Sequence, residues 1–512
     1  MSFVSLYFIF FIFVLFGLYY ILPAKCQWIL LLLASLFFYY LSSAAGFFYV
    51  AISLTAVYVA ARVIQGIYDK AGKDEDMKFL KKRSRPVLIA ALTVVIFLLA
   101  VSKAGFRVTD ALGIERGQGL ARLVIVPMGI SYYTFGLIGY LADVFWKKDR
   151  AQKNPLKLLL FMIFFPQIVE GPIPRHKKLA ECFEKEHKFD YTQFCFGLQR
   201  ILWGFFKKLV IADRLSVFTS QAFSNLESYE GLVLIIAVIF SAVQLYCDFS
   251  GCMDIALGVA QCLDIRLYEN FNHPFFSKTA AEFWRRWHIT LGAWFKDYVY
   301  MPMVTNPGLI RFCQKLKDRF SPRVAKNALS VIPLFVVWLL TGLWHGTGIN
   351  YILWGLYWGA VIIFSTVFTP ELKKAAQILH VNTNSKWFDR LRIGRTLLIF
   401  LISRAIVATR SLDTCILLFK RMFMKFNPWV FFDESLYTLG LDRRNMFCAL
   451  IAMAVLWFFE YKQETGTRIR ETVASYNIAF RWFLYLLLIF SVLILGWYGA
   501  GYNANDFIYM KY

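Results

Sequence analysis

Runs of about twenty apolar residues recur along this chain, from FVSLYFIFFIFVLFGLYYIL at residues 3–22 to the stretch at 482–496. A helix needs about 20 residues to cross the hydrocarbon of a bilayer, whose thickness is about 30 Å. Inside that layer every backbone amide and carbonyl must be satisfied within the protein, so repeated spans impose helices. By length and apolarity roughly eleven to thirteen stretches qualify. Hydrophobic residues make up 59% of the 512 positions, above the roughly 45–50% of soluble domains. An all-α polytopic membrane protein is predicted. The first stretch lacks a basic leader and is too long for a signal-peptide core, which makes it a retained span.

The formal charge of +23 does not indicate nucleic acid, because no base-stacking or groove-reading module accompanies it. Basic residues concentrate in two apparent connectors, Lys70 to Arg85 and Arg311 to Lys326, as the positive-inside rule and anionic inner-leaflet lipid require. Placing both in the cytoplasm, with Lys25, puts the N-terminus on the outer side of the cell membrane. The nine cysteines form no C-x-x-C pair or zinc-type cluster, so no metal is expected. No Walker loop or dinucleotide fingerprint is present, so no bound cofactor is expected either. No polar stretch is long enough for a separate globular domain. One membrane domain is expected over 1–512, with N-terminal spans at 1–146, the chemistry-bearing motifs at 157–368 and C-terminal spans at 395–512.

Several apolar stretches are interrupted. FFPQIVEGPIPRHKKL places Pro166, Gly171, Pro172 and Pro174 around Glu170. Proline removes a helical amide, and broken backbone at membrane depth needs protein or a watery cavity around it. A re-entrant segment or elbow is predicted. QLYCDFSGCMDIALG inserts Asp248, Ser250 and Asp254 among apolar residues. Such carboxylates face a cavity or a partner, and structural pairing, for instance with an arginine, is at least as good an account of them as catalysis.

Two histidines stand in aromatic settings. In EFWRRWHITLGAWFKDYVYMP, helical spacing puts Trp284, His288, Leu291 and Phe295 on one stripe. That predicts one amphipathic helix at the cytoplasmic interface, anchored by Trp284, Trp287 and Trp294, with His288 turned from bulk water. In LLTGLWHGTGINYILWGLYWG, His345 follows Trp344 and lies between Gly342 and Gly346. From Lys326 to His345 is 19 positions, roughly 28 Å of helix, which carries His345 toward the outer end of the hydrocarbon layer. The glycines leave room for a ligand or a neighbouring helix. A single histidine is ordinarily a hydrogen-bonded packing residue. An imidazole within a span is nevertheless a candidate for chemistry, because it can take a proton near neutral pH.

Six motifs in order resemble the membrane-bound O-acyltransferase family, in its alginate O-acetylation and D-alanyl-lipoteichoic acid branch. They are VPMGISYYTFGLIGYLADVFW, FFPQIVEGPIPR, GLQRILWGFFKKLVIADRL, QLYCDFSGCMDIALG, FWRRWHITLGAWFKDYVYMP and TGLWHGTGINYILWGLYWG, with NDFIYMKY a looser match at the end. The resemblance implies a ring of tilted helices, with re-entrant and interfacial helices, around a thin central zone entered from both faces. It implies that His345 is the catalytic histidine and His288 the second functional one. Trp344, Trp284, Trp287, Asp248, Ser250, Asp254 and Asn350 are candidates for the substrate path. Thr347–Gly348–Ile349 departs from the usual run after the W-H-G motif.

The activity implied is transfer of an acyl group, foremost acetyl, from a cytoplasmic thioester to hydroxyls of an extracytoplasmic polysaccharide. The donor would be acetyl-CoA or an acyl carrier protein docking on the basic inner face, with an exported polysaccharide-modifying partner completing delivery. D-alanyl transfer to teichoic acid is the alternative within the family, the greater length favouring acetylation. A non-enzymatic polymer transporter or flippase is the alternative outside it, although no paired halves are present.

Overall fold

The computed structural model describes residues 1–70, 76–111, 124–409 and 411–498. These are mostly helical, and among them no strand forms beyond one antiparallel bridge between Phe271 and Trp287. The ending NDFIYMKY lies outside the described residues.

The chain divides into two compact units, Met1–Ile201 with Cys252–Tyr268, and Leu202–Gly251 with Glu269–Asn503. Helices α1 (Leu6–Ile21), α2 (Ala24–Ser43), α3 (Phe47–Asp69), α4 (Met77–Ala111) and α5 (Ile130–Phe145) open the first unit. Ser5 caps α1 by accepting from the Phe8 amide at 3.2 Å, which satisfies one of the donors left over at any helix start. Then come α6 (Pro155–Ile163), α7 (Phe165–Ile168) and α8 (His176–Glu184). Residues 164–174 are almost wholly buried and only one short turn within them is helical. The predicted elbow is therefore present.

Next along the chain are α9 (Tyr191–Phe205), a π-helical turn at Phe206–Ala212, α10 (Asp213–Ser224) and α11 (Leu232–Cys262). The second unit continues with α12 (Ala280–Arg286), α13 (Ile289–Phe295), α14 (Met301–Val304), α15 (Pro307–Arg319), α16 (Pro322–His345) and α17 (Ile349–Ile378). It ends with α18 (Lys386–Ala408), α19 (Leu412–Met424), α20 (Arg443–Glu464), α21 (Ile469–Ala474) and α22 (Ile478–Leu495). Caps written in the sequence start many of these: Asn306–Pro307 for α15, Ser321–Pro322 for α16, Ser385 for α18 and Asp442 for α20.

Among the described residues, seven segments are long and apolar enough to cross a membrane, with the shorter Leu6–Ile21 beside them. The protein is a multi-pass membrane protein with fewer long spans than the apolar count predicts. One reason is that Ala24–Asp69 holds two helices. Another is that the apolar stretch near 157–168 forms short, broken helices. The basic connectors are also more helical than expected. Lys78 to Arg85 lie within α4, and Arg311 to Arg319 lie on α15.

Candidate active site

His288 does not lie on one continuous amphipathic helix. The helix ends at Arg286, resumes at Ile289, and leaves His288 between with a φ of 48°. A left-handed residue other than glycine is uncommon, with histidine among the types enriched there. The break has a tertiary cause. Residues 270–272 pair alongside, with the Asn272 amide donating to the Arg286 carbonyl at 2.9 Å and the Ile289 amide to the Asn270 carbonyl at 3.0 Å. Backbone groups that would have continued the helix are bonded to this segment instead.

The pairing also fixes the imidazole. Asn270 Oδ1 accepts from the Thr290 amide at 3.0 Å and from the Thr290 hydroxyl at 2.9 Å, and His288 Nδ1 lies 3.3 Å from the same oxygen. An atom that receives an amide N–H is the carbonyl oxygen of the Asn side chain, an acceptor only, so His288 Nδ1 is the donor. The proton then sits on Nδ1, and Nε2 carries the lone pair. His288 is 1% exposed, and burial pushes its imidazole from the ordinary 6.5 down to about 3. It is neutral at physiological pH. The expectation that it turns away from bulk water holds.

His345 ends α16 and is 8% exposed. Its ring packs edge-on against Trp344 at 4.7 Å and Trp354 at 4.9 Å between centroids. Trp344 also faces His288, at 5.9 Å, so one indole stands between the two histidines. Trp284 meets Trp354 at 5.7 Å, Trp338 at 4.9 Å and Trp358 at 5.0 Å. Trp287 packs on Phe283 at 5.5 Å and Phe400 at 5.3 Å. The structure thus gathers His288, His345, Trp284, Trp287 and Trp344 into one aromatic cluster. The space beside Gly342 and Gly346 belongs to α17. A Cβ on Gly342 would stand 2.6 Å from the Tyr351 carbonyl oxygen, and one on Gly346 2.4 Å from the Tyr351 ring.

Asp248 and Ser250 are held by consecutive lysines of the π-helical turn. Lys208 Nζ reaches Asp248 at 2.5 Å and Asp213 at 2.8 Å, and Lys207 Nζ donates to Ser250 Oγ at 3.3 Å. Tyr246, in the same helix, donates to the buried Glu460. Between Asp248 and Ser250, Phe249 sets its ring edge-on to His288 at 4.9 Å. Asp254 lies in the other compact unit and pairs with Arg200 at 3.0 Å. An arginine partner was expected; buried lysine partners were not. Asn350 donates to the Thr409 carbonyl at 2.6 Å, while its Oδ1 is buried with no hydrogen-bond partner among the described residues.

Sequence reasoning passed over Asn270, Lys207, Lys208 and Trp354. Trp354 and Trp358 carried a signal, one helical turn apart beyond the W-H-G motif. Asn270 carried none, since its importance arises from a segment that folds back. Chemically, the cluster offers a neutral imidazole with a defined tautomer, a second imidazole on the same indole, and aromatic walls around both.

A family model described as the membrane-bound O-acyltransferase family matches residues 143–311, which takes in His288 and stops short of His345. The chain is 31% identical over 353 residues to a probable alginate O-acetylase of Pseudomonas syringae pv. tomato, covering 69% of this chain and 62% of that one. It is 30% identical over 356 residues to a probable alginate O-acetylase of Pseudomonas putida, covering 69% and 67%. It is 31% identical over 252 residues to a teichoic acid D-alanyltransferase of Bacillus subtilis, covering 48% and 60%. The chain spans about three-fifths of the length of most of the alginate relatives it matches.

Proposed function

The chain belongs to the membrane-bound O-acyltransferase family, and we propose that it moves an acyl group, foremost acetyl, from a cytoplasmic thioester to hydroxyls of an extracytoplasmic polysaccharide. The observation that carries this reading is the pair of buried histidines joined through Trp344. Relatives named as alginate O-acetylases support acetyl as the group and a polysaccharide as the acceptor.

In the proposed reaction His345 removes the proton from the acceptor hydroxyl as its oxygen attacks the thioester carbonyl. The tetrahedral intermediate collapses, the carbon–sulfur bond breaks, and the imidazolium returns the proton to the departing thiolate. Base catalysis of this kind contributes about 10²–10⁴-fold. His288, neutral and fixed by Asn270, lies on the donor route and orients the thioester. The surrounding indoles exclude water, so that the acyl group reaches the sugar and is not hydrolysed. The donor is acetyl-CoA or an acyl carrier protein reaching the basic face. An exported partner completes delivery to the polymer.

His345→Ala, in protein shown to be inserted in the membrane, is expected to lower polymer acylation by about 10²-fold or more while polymer export continues. Normal acylation in this variant removes His345 from the chemistry. Lost export with acylation retained favours a transporter. D-alanyl transfer remains the second reading because of the teichoic acid relative. Supplying radiolabelled acetyl-CoA or a D-alanyl carrier protein to the same membranes separates the two donors.

A further inference from the structure

In the first compact unit, the elbow, α8 and residues 266–268 enclose a cleft of about 330 Å³. Gln167, Pro172, Pro174, Leu179 and Cys182 line it, and so do Arg175, Lys178, Lys185 and Arg266 with Tyr268. The lining holds one carboxylate, Glu181, and Arg175 engages a partner of its own, which leaves Lys178, Lys185 and Arg266 as the remaining cations. Lys178 holds its ammonium 5.3 Å from the centre of the Tyr268 ring. Lys185 and Arg266 are exposed and make no ion pair among the described residues.

Helix α8 departs from ordinary electrostatics. Its first turn holds no acid, and Arg175, His176, Lys177 and Lys178 stand in sequence at its start. The start of a helix carries partial positive charge and favours anions, so cations there are unfavourable. No side chain caps this end, and its first amides remain available to an acceptor. His176 Nδ1 lies 2.7 Å from Asp149, and that contact fixes the helix start without supplying a carboxylate to the cleft. A bound anion would relieve the cation cluster and the helix terminus together.

We propose that this cleft binds the phosphate group of a phosphate ester whose remainder lies on the apolar floor and on Tyr268. Two sources share that chemistry, an anionic phospholipid headgroup and the phosphates of a coenzyme-type thiol. The His176–Asp149 contact places the cleft beside the basic segment at Lys147 to Lys153, the side where both are found if the positive-inside rule holds. The site stands apart from the assignment of His345, and its test contains no acyl transfer.

The experiment follows the melting temperature of the full chain, purified in neutral detergent, against added ligand. The probes are inorganic phosphate, coenzyme A, and short-chain phosphatidylglycerol with phosphatidylcholine of the same chain length as control. Stabilisation by at least one phosphate probe is expected, with phosphatidylcholine inert. In Lys185→Gln/Arg266→Gln the half-saturating concentration should rise at least about tenfold, the loss of about 1.4 kcal/mol. Lys420→Gln/Arg444→Gln, which removes the same charge from exposed positions on α19 and α20, should respond as the parent does. Phosphatidylglycerol acting alone identifies a lipid headgroup, and coenzyme A acting alone identifies the soluble source. No stabilisation by any phosphate probe, or equal responses in the two double variants, overturns the proposal.

Discussion

At His288 two demands meet on one residue. Its backbone holds a left-handed conformation, and its side chain is buried and neutral beside Asn270. An alanine there would confound strain with lost chemistry, because left-handed backbone suits asparagine better. His288→Asn keeps the turn and removes the imidazole. Folded yield of this variant in detergent should match the parent, while acyl transfer falls at least about tenfold. Unchanged turnover would reduce His288 to a packing residue. Trp344 brings together two histidines distant in sequence, since its ring meets both.

Among the elements, α16 and α17 form the closest pair around the site. Gly342 permits their approach, because a Cβ there would sit 2.6 Å from the Tyr351 carbonyl oxygen. Gly342→Val must push the helices apart, and overpacking of this kind costs about 1–3 kcal/mol. The melting temperature should drop, and activity should fall further than folded yield, because His345 lies one turn along α16. The π-helical turn at Phe206–Ala212 has a different task. It buries Lys207 and Lys208 side by side, 6% and 1% exposed, so that Lys208 neutralises Asp248 and Lys207 donates to Ser250 on α11. Lys208→Met would leave Asp248 buried without its ammonium. Breaking a buried pair from one side costs about 3–5 kcal/mol, so size-exclusion profiles in detergent should show little folded protein. A normal profile would mean that water reaches Asp248.

For the molecule as a whole, burial of a neutral imidazole sets one limit on stability. Below pH 6.5 the unfolded chain protonates His288, whereas the native imidazole resists protonation until about 3. The unfolded state therefore binds more protons across that window, and stability falls as pH drops through it. Above pH 6.5 this group contributes no slope. Thermal unfolding between pH 7 and 5 should show a decline that is shallower in His288→Asn. Equal slopes would place the titration elsewhere.

Membrane class, helical content and the two histidine motifs were legible in the sequence, because apolar length and local composition act without reference to distant residues. The elbow at Pro166 to Pro174 was legible too, since three prolines within so short a stretch remove too many helical amides for a continuous helix. Helix caps such as Ser321–Pro322 belong with them. Other features were fixed only by tertiary structure. Segment 270–272 competes for the backbone bonds of 287–289 and breaks a helix that spacing alone predicts. Lys207 and Lys208 look like one more basic patch until α11 presents Asp248 and Ser250 to them. The meeting of His288 with His345 through Trp344 depends on contacts some sixty residues apart. Local periodicity chooses which face of a helix is apolar, but the partner of that face is chosen by packing.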